Sequence, residues 1–148
     1  MRLSSLMLLL TASFLAAGCG STPADKDILQ GAWYLTAEET DGKPTSPAQM
    51  NAMDAKIIFQ AEKYALKNRG NTIEQGTFSV DPSKTPKTVT FLPKSGLWDG
   101  TPKEGIYAFE EDALKVCYAA ELNKERPTGF TTQLNSGHLM QKYKRVPK

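Results

Sequence analysis

The 148-residue chain has one histidine and two cysteines. One histidine leaves little for a His-rich metal site. Two cysteines exclude a disulfide scaffold and any four-Cys zinc site. No charge of one sign dominates, since 18 Lys and Arg face 16 Asp and Glu. A nucleic-acid binder needs a basic field, so nucleic acid is not expected as a partner. No repeat with a period of about 20–50 residues is visible, and like charges form no block. P-loop, G-x-G-x-x-G, H-E-x-x-H and EF-hand spacings are all missing. His138 has no G-x-S-x-G elbow to serve. The chain is therefore read as a non-enzyme, with no catalytic residue, no metal ligand and no cofactor assigned.

The one sustained apolar run lies at the start. Met1-Arg2 carries a single positive charge, Leu3 to Ala17 is largely apolar, and small residues close the stretch. This is the layout of a secretory signal peptide, and the run is too short to span a bilayer as a helix of about 20 residues. Residues 1–18 are assigned to it. Removing Arg2 takes one positive charge from the formal +2 and leaves +1. Residues 19–28 are small, polar and charged up to Asp27, without apolar periodicity, and read as a tether. The folded domain is placed at 29–148.

From Gly31 onward, alternation with period two dominates and turn residues punctuate it. Trp33, Leu35 and Ala37 alternate with Tyr34, Thr36 and Glu38. Asp41-Gly42-Lys43-Pro44 breaks that strand. Ser46 can cap a short helix that Pro47 opens, and Met50 and Met53 fall on one side of it. Further alternation surrounds Ile57 and Phe59, Tyr64 and Leu66, Phe78 and Val80, Val89 and Phe91, then 106–109, 114–119 and 138–145. The reading is an all-β domain of about eight short antiparallel strands with one short helix after the first strand. Closure into a barrel would leave no open edge. Eight strands enclose an interior that side chains just fill, or that holds one small ligand.

Two resemblances add to this. Leu15-Ala16-Ala17-Gly18-Cys19 resembles a bacterial lipobox, with Ala16 where many such signals have Leu. The resemblance implies lipid on Cys19, with a membrane as the partner of that lipid. It places the protein in the cell envelope, facing the periplasm. Gly20 stands where an Asp resembles an inner-membrane retention signal, which favours the outer membrane. The second resemblance covers residues 29 to about 145. Leu29-Gln30-Gly31-Ala32-Trp33, Asp41-Gly42-Lys43-Pro44, Gly76-Thr77-Phe78, Asp81-Pro82-Ser83-Lys84-Thr85-Pro86-Lys87, Gly105-Ile106-Tyr107, Leu114-Lys115-Val116-Cys117-Tyr118 and Lys124-Glu125-Arg126-Pro127-Thr128-Gly129-Phe130 carry it. They are similar to a family of small lipocalin-like domains of unknown function, abundant in planctomycete-type bacteria and often carried by lipoproteins. Gly31-x-Trp33 looks like the lipocalin start motif. It implies a Trp33 plug at the closed end of a lipocalin-like barrel, with a basic residue of the last strand over it. Arg145 is the candidate, and Lys144 the second. The family implies no activity.

Four more residues are candidate contacts for a ligand or partner. Trp98 sits in a Gly-, Pro- and Lys-rich loop, as a lid, a recognition aromatic or an ordinary packed one. Arg126 could grip an anion in a bidentate way or order its own long loop. Met50 and Met53 could cover an apolar opening. Cys117 reads as a small buried hydrophobe, with a reactive thiol beside Lys115 as the other reading. Two functions follow. The first is a lipid-anchored lipocalin-like barrel that binds a small apolar or amphipathic molecule. The alternative is an envelope protein–protein interaction module with a filled barrel.

Overall fold

The computed structural model describes residues 24–147. The expected signal peptide and Cys19, the expected lipid acceptor, lie outside the described residues. A short helix, α1 (Asp25–Leu29), leads into β1 (Gly31–Thr40) and the two-residue β2 (Lys43–Pro44). Helix α2 (Pro47–Met53) follows, then β3 (Ala55–Gln60), β4 (Lys63–Asn68), β5 (Asn71–Asp81) and β6 (Lys87–Pro93). After a single 3-10 turn (Gly96–Trp98) come β7 (Lys103–Glu110), β8 (Ala113–Ala119) and β9 (His138–Arg145). Each strand from β3 to β9 pairs antiparallel with the next. β1 pairs with β3 on one side and with β9 on the other, which closes an eight-stranded antiparallel barrel. β2 only extends a hairpin on the end of β1.

Turn chemistry sets the hairpins. Asp41-Gly42 and Arg69-Gly70 have positive φ at both positions, the two-residue turn whose twist matches that of the flanking strands. α2 forms where expected. The Ser46 hydroxyl accepts from the Gln49 amide at 3.3 Å, and the Gln49 side chain accepts from the Ser46 amide at 3.2 Å. That is a capping box, with Pro47 in the first turn.

Closure needs strands to approach closely at two glycines. A Cβ on Gly76 would lie 2.1 Å from the Leu92 carbonyl oxygen, and one on Gly105 would lie 2.8 Å from that of Cys117. No other residue fits either position without shifting a neighbouring strand. The interior is aromatic. Phe59 meets Phe78 edge-on at 4.7 Å, and Tyr64 meets Phe91 at 4.9 Å between ring centroids. Such pairs add about 0.5–1.5 kcal/mol each beyond their buried area.

The structure differs from the sequence reading in two places. First, 25–28, read as tether, lie in helix α1, and Leu29 at its end is buried in the core. Five residues are too few to show a helical period. Second, a bulge between Leu35 and Ala37 shifts the β1–β9 register by one. Period-two alternation then flips. Ala37 pairs with the outward-facing Lys142, and Glu38 pairs with Gln141 on the inner wall.

Candidate functional site

The two ends of the barrel differ, and the contrast locates the site. α1 lies across one end. There Arg145 lies over the Trp33 ring, 4.2 Å from its centroid, and the two residues are also paired across strands. The Trp33 indole N–H donates to the Leu29 carbonyl at 2.8 Å. Arg145 donates to the carbonyls of Gln30, at 2.8 Å, and Ile28. Together they satisfy the free carbonyls at the end of α1, where a cation is also favoured by the helix dipole. At the other end of the helix, the Asp25 carboxylate accepts from the Tyr107 hydroxyl at 2.6 Å and from Lys87 at 2.8 Å. Burial works to raise the Asp25 pKa, but these hydrogen bonds and the Lys87 charge together hold it below the usual carboxylate value. This end is shut.

Toward the other end, the interior carries a polar network that no motif announced. Glu74 and Lys103 form an ion pair, with side chains only 14% and 9% exposed. The Tyr64 hydroxyl donates to the second Glu74 oxygen at 2.8 Å. The Lys103 ammonium lies 5.0 Å from the Trp98 ring centroid and 5.7 Å from that of Tyr118. Across the barrel, Tyr143 donates to the Gln141 side-chain carbonyl at 2.6 Å, and the Gln141 amide donates to Glu38 at 2.8 Å. Every buried side-chain nitrogen and oxygen among the described residues has a hydrogen-bond partner. Burial first, and then Glu74, through its hydrogen bond at Tyr64 and its charge at both, push the Tyr64 and Tyr118 phenols well above their ordinary pKa. Both stay neutral here, and Tyr64 serves as a hydrogen-bond donor and not as a proton carrier.

The space left between these side chains is about 10 Å³. That is about what one water needs. Ile57, Leu66, Phe91 and Val116 complete its walls. The chemistry of the interior is thus self-contained: Lys103 answers Glu74, the Gln141 amide answers Glu38, and apolar side chains and rings fill the rest.

The candidate contacts fall in separate places. Trp98 sits over Lys103 at the end of the barrel away from α1. Met50 and Met53 are half-buried on α2, but they border different surface depressions and share no opening. Arg126 is spent on structure. It donates to the carbonyls of Gly105, at 2.6 Å, and Val89, at 3.1 Å, and pairs with Glu104. It thereby pins the 120–137 segment as a strap across the outside of β7 to β9. The strap's other anchors are Glu39, which accepts from the Thr132 amide and hydroxyl at 2.8 Å each, and Asp41, which accepts from the Asn135 amide at 2.9 Å. Those bonds from Thr132 hold the Glu39 pKa below its ordinary value. His138 sits against the Glu125 carbonyl at 3.0 Å. Cys117 faces outward on β8 yet is fully buried, and burial pushes its thiol up to about 11. It is a small buried hydrophobe in this setting.

Glu74 was within reach of the sequence. It keeps step with Gly76, Phe78 and Val80, so extending that alternation one residue pair upstream puts a carboxylate inside. Lys103 opens its strand and gave no such signal.

No family model, curated protein or solved structure matches this chain. The class rests on the geometry above: a closed eight-stranded antiparallel barrel with its interior occupied by its own side chains. Among the described residues, no helix is long and apolar enough to cross a membrane, and no cluster of three or more His, Cys, Asp or Glu could hold a metal ion.

Proposed function

We propose that the protein is a lipid-anchored envelope protein whose filled barrel is a rigid scaffold for a protein partner. One observation carries the choice between the two expected functions. The volume where a small apolar ligand would sit is about 10 Å³, and the Glu74–Lys103 pair and three tyrosines occupy its surroundings. Ligand pockets of binding proteins run to hundreds of Å³. The anchor is supported by Leu15-Ala16-Ala17-Gly18-Cys19, five residues ahead of Ala24, where the described structure begins. More than one acyl chain on Cys19 would hold the protein firmly, since a single chain binds only marginally.

Native mass spectrometry on protein extracted from membranes tests the scaffold reading. The expected spectrum shows the acylated chain with nothing else bound. A lipid or metabolite retained at one per barrel refutes it. Cys19→Ala should move the protein from the membrane to the soluble fraction, and unchanged retention refutes the anchor.

A further inference from the structure

The barrel wall has two sides. The 120–137 strap covers the outside of β7 to β9 and reaches β6 through Arg126, which donates to the Val89 carbonyl and the Thr90 hydroxyl, and the rest of the outside of β3 to β6 has no such cover. The outward positions of those four strands include Lys56, Ile58 and Gln60 on β3, Lys63, Ala65 and Lys67 on β4, Ile73, Gln75, Thr77, Ser79 and Asp81 on β5, and Thr88, Thr90 and Leu92 on β6. Only Asp81, at the far end of β5 opposite Thr88, is a carboxylate, and it accepts from the Ser83 amide and hydroxyl. Lys94 lies just beyond β6, with its amide on the Gln75 carbonyl at 2.9 Å. Lys56 is paired with Asp54. Lys63, Lys67 and Lys94 have no ion-pair partner among the described residues.

This wall is also concave. A depression of about 380 Å³ is bordered by Ile58, Ala65, Gln75, Thr77, Lys63 and Lys94, giving an apolar floor and a basic rim. Three other surface depressions each contain a carboxylate: Glu38, Asp54 or, in the one adjoining at Thr77, Glu62, which is paired with Lys26. Ile73, at the β5 bulge opposite Leu66 and Lys67, is 63% exposed beside the basic rim.

We propose that this wall is the docking face, and that its occupant is an acidic segment of a partner protein with apolar residues between its carboxylates. The inference rests on the interaction-module reading above and names the surface and the partner chemistry. Three features select that occupant. Lys63 and Lys67 are four residues apart on one strand, about 13 Å, so they address several charges and not one small anion. Arg126, whose guanidinium touches the wall at Thr90, is already bonded to Gly105, Val89 and Glu104 and offers no free fork to grip a phosphate. The barrel is closed, so a partner cannot add a strand to an edge and must dock through side chains.

The test uses the full chain, processed through its own leader and extracted in non-ionic detergent. The probe is a fluorescent eight-residue peptide alternating Glu and Val, compared with one alternating Gln and Val. Inorganic phosphate and phosphatidylglycerol vesicles serve as competing anions. The Glu peptide should bind about tenfold tighter than the Gln peptide, weaken with salt, and protect Lys63, Lys67 and Lys94 from acetylation. Reversing the charge at all three lysines should weaken it about tenfold or more, and Lys84→Glu, on the far loop, should not. If the triple variant fails to fold, Lys63→Gln with Lys94→Gln should give a smaller loss in the same direction. Equal binding of the two peptides, protection of other lysines, or preference for phosphate or vesicles overturns the proposal. Those results leave the filled barrel standing, because the native mass spectrum decides that separately.

Discussion

Lys103→Met isolates the worth of the interior ion pair. Methionine keeps most of the apolar stem that packs against Trp98 and Tyr118, so the loss is chiefly of charge. Glu74 is left 14% exposed, with the Tyr64 hydroxyl as its remaining strong partner. Stranding one member of a fully buried pair costs about 3–5 kcal/mol. The residual exposure and the Tyr64 bond reduce that to about 2–3 kcal/mol. For a domain of this size each kcal/mol moves the midpoint by about 3–5 °C, so Tm should fall by roughly 6–15 °C. Glu74→Leu should cost less, about 1–2 kcal/mol, because the stranded Lys103 still faces two rings and its ammonium can swing toward the rim. The double variant Glu74→Leu with Lys103→Met should recover most of the loss, since paired removal of a buried charge pair is often neutral or stabilising. Urea and thermal melts followed by circular dichroism measure all three. A Lys103→Met midpoint equal to wild type, or a double variant less stable than either single one, refutes the argument that the pair is held by mutual need.

Further outcomes follow from the ends and the strap. Arg145→Ala removes the cation over Trp33 and two bonds to α1 carbonyls; it should cost about 1–3 kcal/mol and red-shift Trp33 fluorescence in a Trp98→Phe background. An unchanged spectrum would show that the stack is incidental. Arg126→Ala should loosen the strap and make Cys117 react with a thiol reagent at least about tenfold faster, while equal protection would place the strap's hold elsewhere. Asp25 has a lowered folded pKa, so its contribution is present above the unfolded value of about 4 and is lost as pH falls through the folded one. The stability gap between wild type and Asp25→Asn should therefore be open at neutral pH and close in acid. A gap independent of pH would refute the assignment to the Lys87 and Tyr107 bonds.

The parts legible in the sequence were those written in neighbouring residues. Ile57 with Phe59 and Val89 with Phe91 announce strands because period two needs only a few positions. Ser46-Pro47 announces a helix start because capping is local. Trp33 and Arg145 were paired through a resemblance, not through spacing, and the structure stacks them. The candidate site was less legible. Glu74 meets Lys103 across 29 residues, and Glu39 meets Thr132 across 93, so neither pairing leaves a local trace. The β1 bulge turned Glu38 inward against its apparent alternation, because one extra residue reverses every later side chain. Arg126 read equally well as an anion grip or a loop anchor, and only its bonds to Val89 and Gly105 decide.

The β1–β9 seam joins the first strand of the barrel to the last. The Thr36 hydroxyl reaches the Lys142 carbonyl 106 residues away, and Val146 donates back to Ala32. The sheet therefore cannot become a cylinder until almost all of the chain exists. Loop-closure entropy for that contact is met late and in one step, which makes the seam the natural rate limit of folding. A chain stopped before His138 would present two raw strand edges in place of none, open to pairing with other chains. Trp33 lies beside that seam, so its burial times the moment the ring shuts.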